Sequence, residues 1–138
     1  MTDKRMNDEL AEIRKKKEQE LVKSIDMPRD IIHLRNLQAL KNTIEQFPDN
    51  LIVIDCSAVW CGPCKWYTPV FEQIQKDFRD HFVFAKVDVD EARDIAIQYG
   101  IQAVPTTLFL KNGKIVGNLP GAVPYEKLRE LMIKFKEL

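Results

Sequence analysis

The sequence feature that most constrains the fold is the run Leu51–Cys56, which is rich in β-branched residues and shows no regular alternation of apolar and polar side chains. A strand with one face in water alternates, whereas a strand that is covered on both faces reads as a nearly continuous apolar run. We therefore expect this segment to be a central strand, with other elements packed against both faces of its sheet.

The segments on either side of this run alternate between strand-like and helix-like patterns. The first half predicts a strand at 31–34, a helix capped by Asn36 and stopped by Pro48, and the strand at 51–56. A helix follows at 61–79, with a kink at Pro69 and an apolar side made of Trp66, Val70, Ile74 and Phe78. The second half predicts a strand at 82–87, a helix from Asp90 or Glu91 to Tyr99, strands at 106–111 and 114–116 around Asn112–Gly113, and a last helix with Pro124 in its first turn. Early alternation followed by a hairpin predicts an α/β fold, with a central mixed sheet flanked by helices on both faces.

The first 27 residues differ from the rest of the chain. They are dense in charged residues, and their scattered apolar positions are Met6, Leu10, Ile13, Leu21, Val22 and Ile25. This spacing suits a partly amphipathic helix, and the charged run 14–18 is typical of a solvated face. Because Pro28 disfavours helical geometry in the residue before it, we expect a helical or flexible extension over 1–27 and one compact domain over 28–138.

Charge and cysteine content exclude several classes of protein. With 21 basic and 21 acidic residues the formal charge is zero, so no global field favours binding to nucleic acid or to an anionic membrane. The apolar runs are too short to cross a bilayer, and the charged N-terminus does not resemble a signal peptide. Three cysteines do not suit a stapled secreted scaffold. We expect a cytoplasmic monomer in which any disulfide is transient.

The residues that carry chemistry are Cys61-Gly62-Pro63-Cys64, directly after the central strand and at the start of the next helix. A helix N-terminus has unpaired N–H groups and partial positive charge, which favour a thiolate on Cys61. Gly62 allows a tight turn, and Pro63 fits the first helical turn without needing a donor. We expect Cys64, one turn further, to be more buried and to act as the resolving thiol.

A metal site is the competing reading of this motif. A zinc site requires four ligands, and the remaining candidates, Cys56, His33 and His81, have no ligand-like spacing. Cys56 reads as an inert core thiol, and the two histidines read as structural or exposed. The sequence therefore predicts neither a metal nor another cofactor.

The segment Trp60-Cys61-Gly62-Pro63-Cys64-Lys65 resembles the active site of the thioredoxin family. Further matches are Asp55 six residues before the first cysteine, Pro69 five after the second, Lys86 in Ala85-Lys86-Val87-Asp88, Val104-Pro105-Thr106, and Gly121. The resemblance spans about residues 29–138 and implies the thioredoxin fold. One departure from the family is Ser57, where most members carry tryptophan, and the charged extension is another.

The resemblance also implies roles for individual residues. Asp55 would be a buried acid that either stays protonated or relays protons with water to Cys64. Lys86 would face it, although Lys86 could be an ordinary surface lysine. Pro105 would follow a cis peptide bond and let the Val104 backbone dock a substrate, although an ordinary loop proline remains open. Trp60 would cover the sulfurs and contact partners or else serve only in packing, and Gly62, Pro63 and Gly121 would complete the substrate surface.

Taken together, these features predict a thiol-disulfide oxidoreductase that reduces protein disulfides through Cys61 and Cys64 without a cofactor. The resemblance implies two kinds of partner: a thioredoxin reductase, usually a flavoprotein, and client proteins that carry disulfides. Two alternatives remain open. One is a disulfide isomerase or oxidase, and the other is an interaction module of the same fold whose thiols act only as a redox switch.

Overall fold

The computed structural model describes residues 2–138, apart from the side chains of residues 2–5 and 19–26. Its elements are, in chain order, α1 (Thr2–Asp26), β1 (Ile32–His33), α2 (Leu37–Gln46), β2 (Leu51–Ser57), α3 (Gly62–Phe78), β3 (Val83–Asp88), α4 (Arg93–Gln98), β4 (Thr106–Lys111), β5 (Lys114–Pro120) and α5 (Tyr125–Glu137). After α1, the order of strands and helices is the one that the sequence predicts.

Strand β2 lies at the centre of a five-stranded mixed sheet with the order β1-β3-β2-β4-β5. It runs parallel to β3 and antiparallel to β4, and all seven of its residues are buried. Its side chains alternate between two cores. Ile52, Ile54 and Cys56 contribute to the core that includes Leu40 of α2 and Ile95 of α4. Leu51 and Val53 contribute to the other core, with Phe71 of α3 and Leu128 of α5. The absence of polar alternation is thus explained by cover on both faces.

Local sequence signals set several element boundaries as predicted. The Asn36 side chain accepts a hydrogen bond from Ala39 N at 2.8 Å and caps α2. Asn112 and Gly113 both have positive φ, 53° and 79°, which is the geometry of a tight turn between β4 and β5. Pro69 lies inside α3, which continues through it to Phe78.

Three predictions about helices are wrong. Helix α4 begins at Arg93 and not at Asp90 or Glu91. The N–H groups of those two residues donate to Asp88 Oδ1, which holds them in a turn. Pro124 is the N-cap of α5 and lies one position before its first turn. The third prediction, the apolar side of α3, is wrong only in its first half: Ile74 and Phe78 are buried as predicted, but Trp66 is 51% exposed. Tyr67 and Phe71 complete the buried face.

The N-terminal helix α1 covers the segment that the sequence reads as an extension. The side chains of residues 6–18 are all exposed, including Met6, Leu10 and Ile13, which fits a solvated helix. The side chains of Leu21, Val22 and Ile25 lie outside the described residues. Met27, which the sequence reading assigns to the extension, is buried in the core that contains Leu40 and Ile54. No helix in residues 2–138 is long and apolar enough to cross a membrane.

Candidate active site

The two cysteines lie at the start of helix α3, a few residues after the end of the central strand β2. Cys61 is the N-cap of α3, and its Sγ accepts a hydrogen bond from Cys64 N at 3.2 Å. The two sulfurs are joined in a disulfide, with the Cα atoms 5.3 Å apart. The same N–H group and the helix dipole would stabilise a thiolate on Cys61 once the disulfide is reduced.

The exposure of the two cysteines differs from the sequence prediction. The sequence predicts that Cys64 is the more buried of the two, but each residue is only 4% exposed. Helical position, not exposure, therefore distinguishes the two sulfurs, because the Cys61 sulfur caps the helix and Cys64 lies within its first turn. Gly62 and Pro63 occupy the first positions of α3 and are exposed, so the backbone between the cysteines borders solvent.

The loop before β4 lies beside the cysteines. The peptide bond between Val104 and Pro105 is cis, as the resemblance implies, and Val104 packs against the buried cluster of Ala58, Cys61 and Cys64. Gly121 reaches the same loop, since its N–H group donates to the Pro105 carbonyl at 2.8 Å. Its φ of +86° is a conformation that side chains other than glycine rarely adopt. Segments distant in sequence thus form one surface around the disulfide.

Trp60 presents its indole to solvent on this surface. The residue is 69% exposed, and its Nε1–H donates to Asp90 Oδ2 at 2.8 Å. An exposed ring that is held by one hydrogen bond suits contact with a partner better than packing in a core. The sequence indicates Asp90 only as a possible helix start, and no local signal points to its contact with Trp60, because 30 residues separate the two.

Asp55 is buried beneath α3. It is 1% exposed, it pairs with Lys86 across β2 and β3, and its Oδ1 has no hydrogen-bond partner among the described residues. Burial raises the pKa of the Asp55 carboxyl from about 3.8 to about 6, and the charge of Lys86 opposes this rise. A carboxyl with such a pKa can hold or accept a proton near neutral pH.

A cavity of about 350 Å³ opens beside Cys64 and is lined in part by Ser57, Thr68 and Lys86. The Lys86 Nζ donates to Thr68 Oγ1 at 3.2 Å at this cavity. Ser57 is 7% exposed, and its small side chain leaves this space open. The presence of serine instead of tryptophan at position 57 therefore affects the cavity that borders Cys64. The remaining cysteine, Cys56, is a free thiol buried in the core on the opposite face of β2.

Comparisons with known proteins agree with this geometry. The family model described as Thioredoxin matches residues 31–134. The thioredoxin of Ictalurus punctatus is 39% identical over 94 residues, which is 67% of this chain and 87% of that protein. The thioredoxin of Bacillus subtilis is 40% identical over 86 residues, 62% of this chain and 83% of that protein.

A solved structure extends the likeness to three dimensions. The thioredoxin of Schistosoma mansoni superposes with a TM-score of 0.70 at 36% identity and covers 78% of this chain and 96% of its own. The family match spans both cysteines and the strands that position them. The chain therefore belongs to the thioredoxin family and is a thiol-disulfide oxidoreductase.

Proposed function

We propose that the protein is a disulfide reductase in which Cys61 attacks the client disulfide and Cys64 resolves the mixed disulfide. The observation that carries this proposal is the position of the Cys61 sulfur at the N-cap of α3, where Cys64 N–H donates to it. This position favours the thiolate, and the thiolate is the form of cysteine that attacks disulfides.

The reaction transfers two electrons to the client. The Cys61 thiolate attacks one client sulfur, a mixed disulfide forms, and the other client sulfur leaves as a thiolate that takes up a proton. Cys64 then loses its proton and attacks the Cys61 sulfur. The mixed disulfide breaks, the second client thiol leaves, and the Cys61–Cys64 disulfide remains, as in the present structure.

We propose that Asp55 accepts the proton that Cys64 loses. Its raised pKa of about 6 lies close to neutral pH, so the carboxyl can gain or lose a proton there. The positive charge of Lys86 stabilises the ionised carboxylate. The cavity beside Cys64 is lined by Ser57, which follows Asp55 by two residues on β2, and by Lys86, which pairs with Asp55, so we propose that water in this cavity carries the proton on the Cys64 side.

The client surface that we propose consists of Trp60, Gly62, Pro63, Val104, Pro105 and Gly121. Exposure of Trp60 and the packing of Val104 against the cysteines support this assignment. The partners are client proteins that carry disulfides and a reductase of the flavoprotein type, which returns electrons to Cys61 and Cys64. We assign the protein to the cytoplasm, because a reductase must be returned to its dithiol form after each cycle and the cytoplasm keeps thiols reduced. We propose that it acts as a monomer. We take residues 28–138 as the catalytic domain.

Turnover of insulin with dithiothreitol as the electron donor tests the reductase. The protein should accelerate insulin reduction, and Cys61→Ser should abolish the effect. A pure interaction module would bind clients without turnover. The reduction potential of the couple separates reductase from oxidase or isomerase, because thioredoxins lie near about −270 mV and protein disulfide isomerase near about −180 mV.

A further inference from the structure

Lys86 and Asp55 lie side by side on neighbouring strands without forming an ion pair in the described part of the chain. They are paired in the parallel register of β2 and β3, so their side chains lie on the same face of the sheet. The Asp55 Oδ1 is buried and has no hydrogen-bond partner among the same residues. A buried acceptor without a donor is costly, so the lysine amine must be held by another group.

The group that holds the lysine amine is the hydroxyl of Thr68 on α3. Lys86 Nζ donates to Thr68 Oγ1 at 3.2 Å. The threonine hydroxyl in turn donates to the Cys64 carbonyl oxygen, one turn earlier in the helix, at 3.0 Å. A hydroxyl has one hydrogen, so this second bond leaves only lone pairs on its oxygen, and an ammonium group has only hydrogens to offer. The two bonds therefore run in one direction, from Lys86 through Thr68 to Cys64.

The other charged and titratable groups around the Asp55–Lys86 pair are already bonded or lie apart from it. At the cavity, Glu91 forms an ion pair with Arg35 at 3.5 Å, and Asp88 Oδ1 accepts two backbone N–H groups. The Tyr67 hydroxyl lies 2.7 Å from Thr107 Oγ1 on β4, and the buried residues of α5 are apolar. The remaining groups are Cys64 and Lys65 on α3, Cys56 in the opposite core, and His33 on β1. Within the described residues, the carboxyl of the pair thus holds the buried side-chain oxygen that lacks a donor.

We propose that Thr68 is a positioning residue that holds the Lys86 amine away from Asp55, so that the carboxyl is left free to accept the proton of Cys64. A carboxylate in direct contact with a cation is a weak base, because the cation stabilises its charged form. A cation that a third group holds nearby still favours ionisation, but it leaves the carboxylate oxygen open to a proton. This inference rests on the proposed role of Asp55 as the acceptor of that proton.

The place of Thr68 in the helix fixes the direction of its hydroxyl. Threonine in a helix can bond to the carbonyl four residues earlier, and branching at Cβ leaves it few rotamers. With its hydrogen on the Cys64 carbonyl, the hydroxyl lies at the cavity that Thr68 and Lys86 both line. A valine would keep the shape of the side chain and remove the acceptor. The freed amine would then pair with Asp55 Oδ1, the unpartnered acceptor beside it in the sheet.

The direct test is the titration of Asp55 in the reduced protein by ¹³C NMR of labelled aspartate carboxyl carbons, with Asp55→Asn to assign the signal. Thr68→Val should lower the pKa of Asp55 by about one pH unit, a tenfold change in the ionisation constant, because the amine then contacts the carboxylate. The acid limb of the pH profile for resolution of a mixed disulfide by Cys64 should move to lower pH by the same amount. Thr68→Ser keeps the hydroxyl and should titrate as the unmodified protein does.

Thr43→Val is the matched control for the loss of a helical threonine hydroxyl. Thr43 donates to the Ala39 carbonyl of α2 at 2.9 Å, which is the same bond to the carbonyl four residues earlier, and no lysine is bonded to it within the described residues. This variant should leave the pKa of Asp55 unchanged.

A second pair of variants tests whether Thr68 acts through the amine. Lys86→Met removes the positive charge that opposes the effect of burial, so it should raise the pKa of Asp55. In the Lys86→Met background, Thr68→Val should have no further effect, because the threonine then has no amine to hold.

Three outcomes would overturn the proposal. An unchanged pKa of Asp55 in Thr68→Val would leave Thr68 a residue of helix packing alone. A raised pKa would mean that Thr68 draws the amine toward the carboxyl. A fall that persists in the Lys86→Met background would exclude the amine as the cause. Insulin reduction tests the proposed function separately: a protein that fails to reduce insulin but shows the predicted titrations would reject that function and keep this role of Thr68.

Discussion

Asp55 and Lys86 occupy paired positions on the parallel strands β2 and β3, yet the lysine amine donates its hydrogen bond to Thr68 Oγ1 at 3.2 Å. Asp55 Oδ1 has no partner in the part of the chain that the structure describes. The positive charge of Lys86 lowers the pKa of the carboxyl, but burial has the larger effect and raises it to about 6. The acid thus remains buried at a cost in stability.

This relationship predicts how stability depends on pH. An acid whose pKa is higher in the folded than in the unfolded protein binds more protons when folded. Its stabilising contribution is complete below about pH 4 and is lost as the pH rises through about 6, after which the full penalty persists. A rise from 3.8 to about 6 corresponds to about 3 kcal/mol near neutral pH.

Asp55→Asn should remove this dependence and raise the free energy of unfolding of the oxidised protein at pH 8 by about 1–3 kcal/mol. The gain stays below the full penalty because the amide is itself buried. Urea unfolding from pH 4 to pH 8 measures the effect, and stopped-flow insulin reduction should show a slower reaction. Asp49→Asn, at an exposed carboxylate, is the control. Lower stability at pH 8 with unchanged turnover would exclude the proton relay.

The N-cap position of Cys61 predicts unequal reactivity of the two thiols. In the reduced protein, iodoacetamide near pH 7 should modify Cys61 first, because Cys64 N–H and the helix N-terminus stabilise its thiolate. Peptide mass spectrometry measures the two rates. Cys64→Ser should accumulate mixed disulfides with clients, and Cys61→Ser should accumulate none. Equal labelling of both cysteines would contradict the assignment of roles.

The burial of Met27 predicts where the N-terminal helix can be removed. Deletion of residues 2–26 should leave insulin reduction within a few-fold and change the melting temperature little, because the side chains of 6–18 are exposed. Met27→Ala in the full-length chain should lower the free energy of unfolding by about 2–5 kcal/mol, as expected for a large core side chain. Thermal and urea unfolding compare the two. A deletion as damaging as Met27→Ala would show that α1 packs on the domain.

Gly117 on β5 predicts a stability defect remote from the cysteines. A Cβ there would lie 3.0 Å from Phe109 Cδ2 and 3.2 Å from Phe135 Cζ, two rings that stack with centroids 4.8 Å apart. Gly117→Ala should therefore destabilise the protein by about 1–3 kcal/mol with unchanged kcat in insulin reduction. Gly62→Ala, where a Cβ would meet nothing within 4 Å, is the matched control for stability. Equal stability of both variants would mean that the two rings can separate at no cost.

Local signals in the sequence were sufficient for the order of the elements after α1. The unbroken apolar run of β2, the Asn36 cap and the Asn112–Gly113 turn each act within a few residues, so each could be read without knowledge of the fold. Element boundaries could not be predicted where a side chain outside the element forms hydrogen bonds with its first backbone N–H groups. The start of α4 moved to Arg93 because Asp88 holds the two preceding N–H groups in a turn.

By itself, the sequence determined the α/β class, the redox motif at the start of α3 and, through resemblance, the buried acid and the loop that ends at Pro105. Only the tertiary structure decided that Cys61 and Cys64 are equally exposed, that Met27 is core, and which face of α3 is buried. The contacts of Trp60 with Asp90 and of Tyr67 with Thr107 were also beyond reach. The physical reason is that helical periodicity leaves the rotation of a helix uncertain by about one residue, or 100°. Packing against the sheet fixes that rotation, and it brings together side chains that are 30 or 40 residues apart.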